Sequence, residues 1–425
     1  MKGKNSKPLV WYVAAGYGLP AGIEAHILYY ATEMQRRDFD VKVRVFRPLP
    51  RERHRFLMAL DERGIPIASF ESLARVRSVI KAIVLFVPWF LYILIAKHRW
   101  PDVSTFWSWV SVNESVRELE MMLAKEQPAV IHIFGRLWTT AWARFPPDRT
   151  IFHEMMTGSV DDSWTSGESA DFRNLAQSAA SVFAPGKAIA ANLAKDFRIT
   201  RRIDVIFTMC PDEAGGGPQT TVTPERDNHG CTTTQVSAFK SQVSLRRRLR
   251  FGILCRLTAQ KGILYLLQAL KMYKERRGDV DFTFAGKGDL EKTIQQFTLE
   301  HGLTNVRIVR VKNAPEILNA IDVFVHPSIA DAMPVSIAEA LMCGLPCVVT
   351  DVGGIPDLVR DGLEGFVIKP GEPDQILSCM EKFAAMSESE FDGFSERARK
   401  RYEDVCKPDS VGTVIEKEYR AICAN

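Results

Sequence analysis

Two short apolar runs bracket one helical pattern between residues 321 and 350, and this unit constrains the fold more than any other stretch. The runs 321–327 and 346–350 are rich in β-branched residues and bounded by turn residues, which is typical of buried strands. Between them, the apolar spacing of residues 334–341 predicts a short helix that ends at Gly344. Strand, loop, helix and strand in this order build a parallel, doubly wound α/β sheet.

Two carboxylates lie eight residues apart inside this unit. Asp331 falls in the loop before the helix, and Glu339 falls on the helix itself. In an open parallel sheet, ligands bind beyond the carboxyl ends of the strands, and a helix amino terminus there favours an anion. A carboxylate pair in this position can hold a ribose hydroxyl with one member and face a reacting sugar with the other.

The residues around this pair resemble the signature of retaining GT-B glycosyltransferases, most similar to the large family 4 of nucleotide-sugar-dependent enzymes. That signature is Glu-x7-Glu, then Ala-x-x-x-Gly-x-Pro-Val and Asp-x-Gly-Gly-x-x-Glu. Here it reads Asp331-x7-Glu339, followed by residues 340–348 and 351–357. Asp331 replaces the first Glu of the signature. The negative charge is kept, but the carboxylate lies one methylene closer to the backbone. The resemblance implies two Rossmann-like, doubly wound domains that face each other across a cleft.

Chain length also favours two domains. The 425 residues exceed the ~250–300 that a single core usually reaches. A net charge of +4 is too small to indicate a nucleic-acid partner. Eight cysteines lack the spacing of zinc sites or disulfide frameworks, which favours a reducing, cytoplasmic setting. We expect an acceptor-side domain over 1–210, a linker over 211–249, a nucleotide-sugar-binding domain over 250–395, and a C-terminal helix over 396–425 that returns to the first domain.

The first domain opens with a strand at 9–15, a glycine-rich turn at 16–22 and a helix over about 23–37. The basic start before this strand is also how a short signal peptide begins, but the apolar run passes straight into the turn. Glycines let backbone N–H groups approach a phosphate, although a tight turn alone explains them equally well. The resemblance implies that Gly22 belongs to the family's Gly-Gly-x-Glu turn, with only the second glycine kept.

A strand predicted at 150–152 delivers His153 to its carboxyl end. A lone histidine there is more often structural than catalytic. The resemblance instead places His153 over the donor sugar from the side of the first domain. No second histidine follows at the spacing of a zinc-protease helix, so no metal site is indicated.

Residues 82–96 are fifteen consecutive apolar residues, and arginine and lysine residues flank them on both sides. As a helix they span about 22 Å, short of the ~30 Å hydrocarbon core of a bilayer. An apolar run flanked by cations is typical of an interfacial anchor on an anionic leaflet; a buried helix is the alternative, and a true span is the least expected. We predict that the segment 79–99 binds the membrane surface, and that the protein is peripheral on the cytoplasmic face.

Two cations converge on one loop of the second domain. Arg256 ends the strand predicted at 251–255, and Lys261 lies at the start of the next helix. Such a pair can neutralise a departing diphosphate without a metal, although a plain surface pair is the alternative. Its setting, Gly-x-x-x-Arg-Leu-x-x-x-Lys-Gly, resembles the family's phosphate-binding loop.

The resemblance also implies which residues form the active site. The expected catalytic residues are Asp331, His153, Arg256 and Lys261. The expected donor contacts are Gly22, Arg256, Lys261, Gly286, Lys312, Met333, Pro334, Val335 and Glu339. No metal and no cofactor besides the nucleotide diphosphate-sugar are expected.

The implied activity is retaining transfer of a sugar to a lipid-linked or saccharide acceptor, in polysaccharide or glycolipid synthesis. A non-catalytic GT-B module that binds a nucleotide sugar or a partner is the alternative. It is kept because Asp331 departs from the signature, and because residues 208–211 replace the family's Asn-Gly-Val-Asp.

Overall fold

The structure is a computed structural model that describes residues 7–14, 21–46, 55–70, 103–135, 143–155, 166–212, 249–311 and 314–424. Within these ranges, two separate parallel sheets are packed between helices. The predicted architecture of two doubly wound α/β domains is therefore confirmed.

The first domain is built on a seven-stranded sheet. Its strands are β1 (Leu9–Ala14), β2 (Asp40–Val45), β3 (Ile67–Ser69), β4 (Val130–Phe134), β5 (Thr150–His153), β6 (Ser181–Ala184) and β7 (Asp204–Val205). Its helices are α1 (Ala21–Arg36), α2 (Arg55–Glu62), α3 (Val103–Glu126), α4 (Ser166–Ser178) and α5 (Lys187–Asp196). The strands lie in the order β3-β2-β1-β4-β5-β6-β7, and all pairs are parallel.

The second domain is built on a six-stranded sheet. Its strands are β8 (Arg250–Leu254), β9 (Asp281–Ala285), β10 (Val306–Val309), β11 (Val323–His326), β12 (Cys347–Thr350) and β13 (Gly365–Ile368). Its helices are α6 (Ile263–Arg277), α7 (Glu291–Glu300), α8 (Ala314–Leu318), α9 (Val335–Met342), α10 (Ile355–Leu358), α11 (Pro373–Ala385) and α12 (Glu388–Val405). The strands lie in the order β10-β9-β8-β11-β12-β13, again all parallel.

The central strands read as unbroken apolar runs because both faces of each sheet are covered. In β1, Val10 and Tyr12 enter the core under α1, whereas Trp11 and Val13 enter the core on the opposite face. Successive side chains of a strand point to opposite faces, so burial on both faces removes the polar alternation of a half-exposed strand.

The last helix, α13 (Pro408–Ala424), packs on the first domain. Its Glu416 accepts a 2.7 Å hydrogen bond from Arg37 at the end of α1. Tyr419, one turn further along, is fully buried against the first sheet. The chain therefore ends on the domain with which it began.

Several element boundaries differ from those predicted. Helix α1 begins at Ala21, two residues before the predicted start, and α9 begins at Val335, so Pro334 is the residue before the helix and not its first. The edge strands β3 and β7 are only three and two residues long. The segment 79–99 and most of the linker lie outside the described residues. Within the described ranges, no helix has the length and apolarity to cross a membrane.

Candidate active site

Asp331 occupies the loop between β11 and α9, at the carboxyl edge of the second sheet. One oxygen, Oδ2, lies 3.1 Å from Nε2 of His326 and accepts a 3.2 Å hydrogen bond from Ser328. The ammonium of Lys261 donates to the same oxygen. The Asp331 side chain is 16% exposed and that of Lys261 is 13% exposed, so the pair is largely shielded from water.

The charges of these groups stabilise one another. Burial alone would raise the pKa of Asp331, but His326 and the Lys261 ammonium hold that pKa well below its usual range. Burial lowers the pKa of His326, and the neighbouring Asp331 carboxylate opposes that effect in part. Asp331 is therefore an anion at neutral pH.

A single glycine allows Lys261 to reach this loop. Lys261 ends a short 3-10 helix (Ala259–Lys261), and Gly262 follows with a φ of +70°. A Cβ added to Gly262 would lie 1.8 Å from the carbonyl oxygen of Pro327, so only glycine fits. The two loops are also joined by hydrogen bonds between Gln260 and the backbone of Ile329 (2.9 Å) and Ala330 (3.0 Å).

Arg256 lies two residues beyond β8, and its side chain is exposed. Among the described residues, its guanidinium forms no hydrogen bond or ion pair. The turn that follows β9 packs on the same loop: Gly286 has a φ of +148°, and an added Cβ would lie 1.9 Å from the carbonyl oxygen of Cys255. Gly286 thus supports the backbone beside Arg256. Lys312, the expected contact near the base, lies outside the described residues.

Two glycines support the backbone of the loop between β11 and α9, residues 327–334, which we call the signature loop. Gly353, with a φ of +56°, lies so close to Asp331 that an added Cβ would be 2.0 Å from the Asp331 carbonyl oxygen. The next residue, Gly354, donates a 2.6 Å hydrogen bond to the carbonyl of Ala332. These contacts explain the Gly-Gly pair of the motif. Met333 and Pro334 are buried, and Val335 and Glu339 are half-buried on α9.

The signature loop also lies where the two domains touch. Ala332 packs against a core cluster of the first domain. A Cβ added to Gly186 would lie 2.4 Å from the Cα of Gly354. The Asp357 carboxylate accepts a 2.5 Å hydrogen bond from the backbone N–H of Lys187, the first residue of α5. Asp357 therefore caps a helix of the opposite domain.

His153 ends β5 and is 1% exposed. Its Nδ1 lies 3.2 Å from Nε2 of His132, and its ring stacks on Tyr30 with ring centroids 5.8 Å apart. Burial is the main cause that lowers the pKa of His153 well below its ordinary value, so the ring is neutral. Gly22 lies in the first turn of α1, on the same domain.

The structure thus brings Lys261 and Asp331 into contact and leaves Arg256 exposed near them. Sequence reasoning missed His326 and Ser328, although a polar pair at the end of a buried strand was a usable signal. It also missed Asp357 as a capping residue, for which no local pattern exists. Among the described residues, no group of three or more histidine, cysteine or acidic side chains could hold a metal ion.

A comparison with known proteins finds a family that matches part of the second domain. Residues 248–385, which contain the Lys261–Asp331 pair, match the family described as Glycosyl transferases group 1. The amylovoran biosynthesis glycosyltransferase AmsK of Erwinia amylovora is 28% identical over 181 residues, which are 40% of this chain and 42% of the relative. An Escherichia coli UDP-Gal:alpha-D-GlcNAc-diphosphoundecaprenol alpha-1,3-galactosyltransferase is 31% identical over 32% of this chain and 36% of its own length. The matched region thus spans less than half of either relative.

Solved structures match over nearly the whole chain. A glycosyltransferase from Rickettsia africae superposes with a TM-score of 0.70 at 14% identity, covering 99% of this chain and all of that one. Anabaena Alr3699/HepE, crystallised with UDP-glucose, superposes with a TM-score of 0.66 at 17% identity, covering 97% of this chain and all of that one. At these identities the similarity establishes the fold. The chain has the GT-B fold, as the sequence predicted, and part of its second domain is similar to the glycosyl transferases group 1 family.

Proposed function

We propose that this protein transfers a sugar from a nucleotide diphosphate-sugar to an acceptor, with retention of the anomeric configuration and without a metal ion. The observation that carries the proposal is the buried contact between Lys261 and Asp331 at the carboxyl edge of the second sheet, inside the group 1 region. This edge is where open α/β sheets bind ligands.

Lys261 and Arg256 would neutralise the diphosphate of the donor. Charge that develops on a leaving diphosphate is stabilised most by cations already fixed in place before the reaction. Contacts with the neighbouring loop hold Lys261 in place, whereas Arg256 is exposed and is expected to close on the phosphates when they bind. Glu339 would hold the ribose from α9. Stabilisation of the leaving group then favours departure through an oxocarbenium-like state.

Asp331 would contact the donor sugar together with the backbone of residues 333–335 and with His153. All three neighbours of its carboxylate meet at Oδ2, while Oδ1 takes no hydrogen bond from the described residues. The Asp331 side chain, which is shorter than the glutamate of the family signature, is thereby fixed through one oxygen. The other oxygen can accept a hydrogen bond from a sugar hydroxyl.

The acceptor would be a lipid-linked or saccharide molecule, and the segment 79–99 would hold the protein on the membrane surface. The names of two relatives refer to amylovoran biosynthesis and to a diphosphoundecaprenol-linked sugar, and these support an acceptor of that kind. The apolar run of residues 82–96, with cations at both ends, supports the interfacial anchor. Flotation with anionic vesicles tests the anchor, and a variant without residues 82–96 that floats like the parent would contradict it.

Replacement of Lys261 by alanine tests the central assignment. We expect kcat to fall by at least ~10²-fold, the usual cost of one fixed electrostatic contact to the transition state. The assay is transfer from a panel of UDP- and GDP-sugars to a lipid extract, with UDP and GDP binding measured in parallel. Lys271→Ala is the matched control, because Lys271 lies on α6 and is exposed, with only a 3.8 Å ion pair to Glu275.

Four outcomes separate the alternatives. Loss of transfer in Lys261→Ala but not in Lys271→Ala supports the proposal. Nucleotide binding without transfer in the parent protein favours the non-catalytic module. Full turnover in Lys261→Ala contradicts the diphosphate assignment, and loss of turnover in chelator contradicts the absence of a metal. Proton NMR of the fresh product reports whether the anomeric configuration is retained.

A further inference from the structure

A chain of hydrogen-bonded side chains connects the C-terminal helix with His153 along one face of the first sheet. The hydroxyl of Tyr419 on α13 lies 2.6 Å from Nδ1 of His132, in the middle of β4. Nε2 of the same ring lies 3.2 Å from Nδ1 of His153, at the end of β5. Tyr419 also donates a 3.1 Å hydrogen bond to the hydroxyl of Tyr12 on β1. All four side chains are at most 1% exposed, so bulk water does not compete for these bonds.

Both histidine rings in this chain are neutral. Burial lowers the pKa of His132 to about 3 and lowers the pKa of His153 well below its ordinary value. A neutral imidazole has one protonated and one bare nitrogen, so each ring donates through one nitrogen and accepts through the other. The identity of the donor at one end of the chain therefore determines the state of the ring at the other end.

The direction in which the Tyr419 hydroxyl donates its proton determines which nitrogens of the two rings are protonated. Its single proton goes to Tyr12, so its oxygen accepts from the Nδ1–H of His132. The Nε2 of His132 is then bare and accepts from the Nδ1–H of His153. With its proton on Nδ1, His153 has a lone pair on Nε2.

Ring stacking prevents the rings from turning over and exchanging their nitrogens. The His132 ring stacks on the Phe134 ring, with the ring centroids 4.3 Å apart and an interplanar angle of 17°. The His153 ring is stacked on Tyr30 at an interplanar angle of 18°. Close-packed interiors leave little room for a ring flip. The proton order is thus fixed by packing as well as by hydrogen bonds.

We propose that Tyr419, acting through His132, is a positioning residue that makes Nε2 of His153 a hydrogen-bond acceptor for a hydroxyl of the bound sugar. This inference rests on the proposed function, in which His153 contacts the donor sugar. A bare Nε2 accepts a hydrogen bond from a hydroxyl group but has no proton to donate.

Ring nitrogen NMR tests the inference on the full chain without any donor. The protein, which has eight histidines, is labelled with 15N-histidine, and the two rings are assigned from His132→Gln and His153→Gln spectra. In the parent protein we expect His153 to be protonated at Nδ1 and bare at Nε2. Tyr12→Phe removes the acceptor of the Tyr419 proton, so the hydroxyl turns to His132 and the pattern reverses in both rings. Tyr419→Phe removes the hydroxyl, and both tautomers are then expected.

Tyr402→Phe is the matched control. Tyr402 is equally buried and donates a 2.9 Å hydrogen bond to the carbonyl of Cys210, but it lies on α12, outside the chain of rings. Its loss should leave both histidine spectra unchanged. A parent spectrum with His153 protonated at Nε2, or a folded Tyr12→Phe variant with the parent pattern, would overturn the inference. Because no donor is present, a failure of glycosyl transfer would not alter this result.

Discussion

The buried contact between Lys261 and Asp331 predicts a specific pattern of stability changes. Asp331→Asn keeps the size of the side chain but removes its charge, which leaves the Lys261 ammonium 13% exposed and without its counter-ion. Loss of one partner of a buried ion pair costs ~3–5 kcal/mol, and the residual hydrogen bonds of asparagine place the expected loss near the lower end, at about 3 kcal/mol. Replacement of the whole pair is far less costly, because no unpaired charge remains.

A double-mutant cycle measures this difference. Its second single variant is Lys261→Met, and its double variant combines Lys261→Met with Asp331→Asn. We expect the double variant to be more stable than Asp331→Asn alone, with a coupling free energy of ~1–3 kcal/mol between the two sites. Urea unfolding followed by circular dichroism measures the free energies of unfolding. All eight tryptophans lie between residues 11 and 164, so their fluorescence reports the first domain and should not change.

The pH dependence gives an independent check with a definite sign. The pKa of Asp331 is lower in the folded protein than in the unfolded chain, so its charged form stabilises the fold. This contribution is complete above the unfolded value of about 3.9 and is lost progressively as the pH falls from there through the folded value. The stability gap between parent and Asp331→Asn should thus be constant from pH 7 to pH 5 and begin to shrink below pH 4. A gap at pH 3 as large as that at pH 7, or a double variant less stable than both single variants, would refute this account.

Two further predictions follow from backbone contacts. Gly262→Ala should abolish transfer and lower the stability of the second domain by more than the ~1–2 kcal/mol of a left-handed residue, because its Cβ would also clash with the Pro327 carbonyl at 1.8 Å. Gly362→Ala, in the same domain with a φ of +73° and nothing within 4 Å of the added Cβ, is the control for a positive φ without a clash. Asp357→Ala should remove the cap on α5 at a cost of ~0.5–2 kcal/mol and increase the radius of gyration in X-ray scattering, whereas Asp404→Ala, which replaces an exposed acid, should not. An unchanged radius for Asp357→Ala would show that the cap does not hold the domains together.

Much of the fold could be predicted from local pattern. The apolar run of β1 and the strand-loop-helix-strand unit around Asp331 were correctly predicted, because burial on both faces leaves a continuous apolar signal. Boundaries were less accurate, as at the start of α9, where the backbone of Pro334 is extended with a ψ of 125° and the helix begins one residue later than predicted.

The candidate site was predictable only in part. Motif spacing brought out Lys261, Asp331 and Glu339, but the first two are 70 residues apart, and their direct contact depends on how two loops pack. The roles of Asp357 and Tyr419 were not visible in the sequence: their partners are 170 and 287 residues away. The order of residues along the chain determined two parallel sheets and the loops at their carboxyl edges. Which side chains meet there was decided by tertiary packing alone, because hydrogen bonds and ion pairs act over a few ångströms in space and are indifferent to separation along the chain.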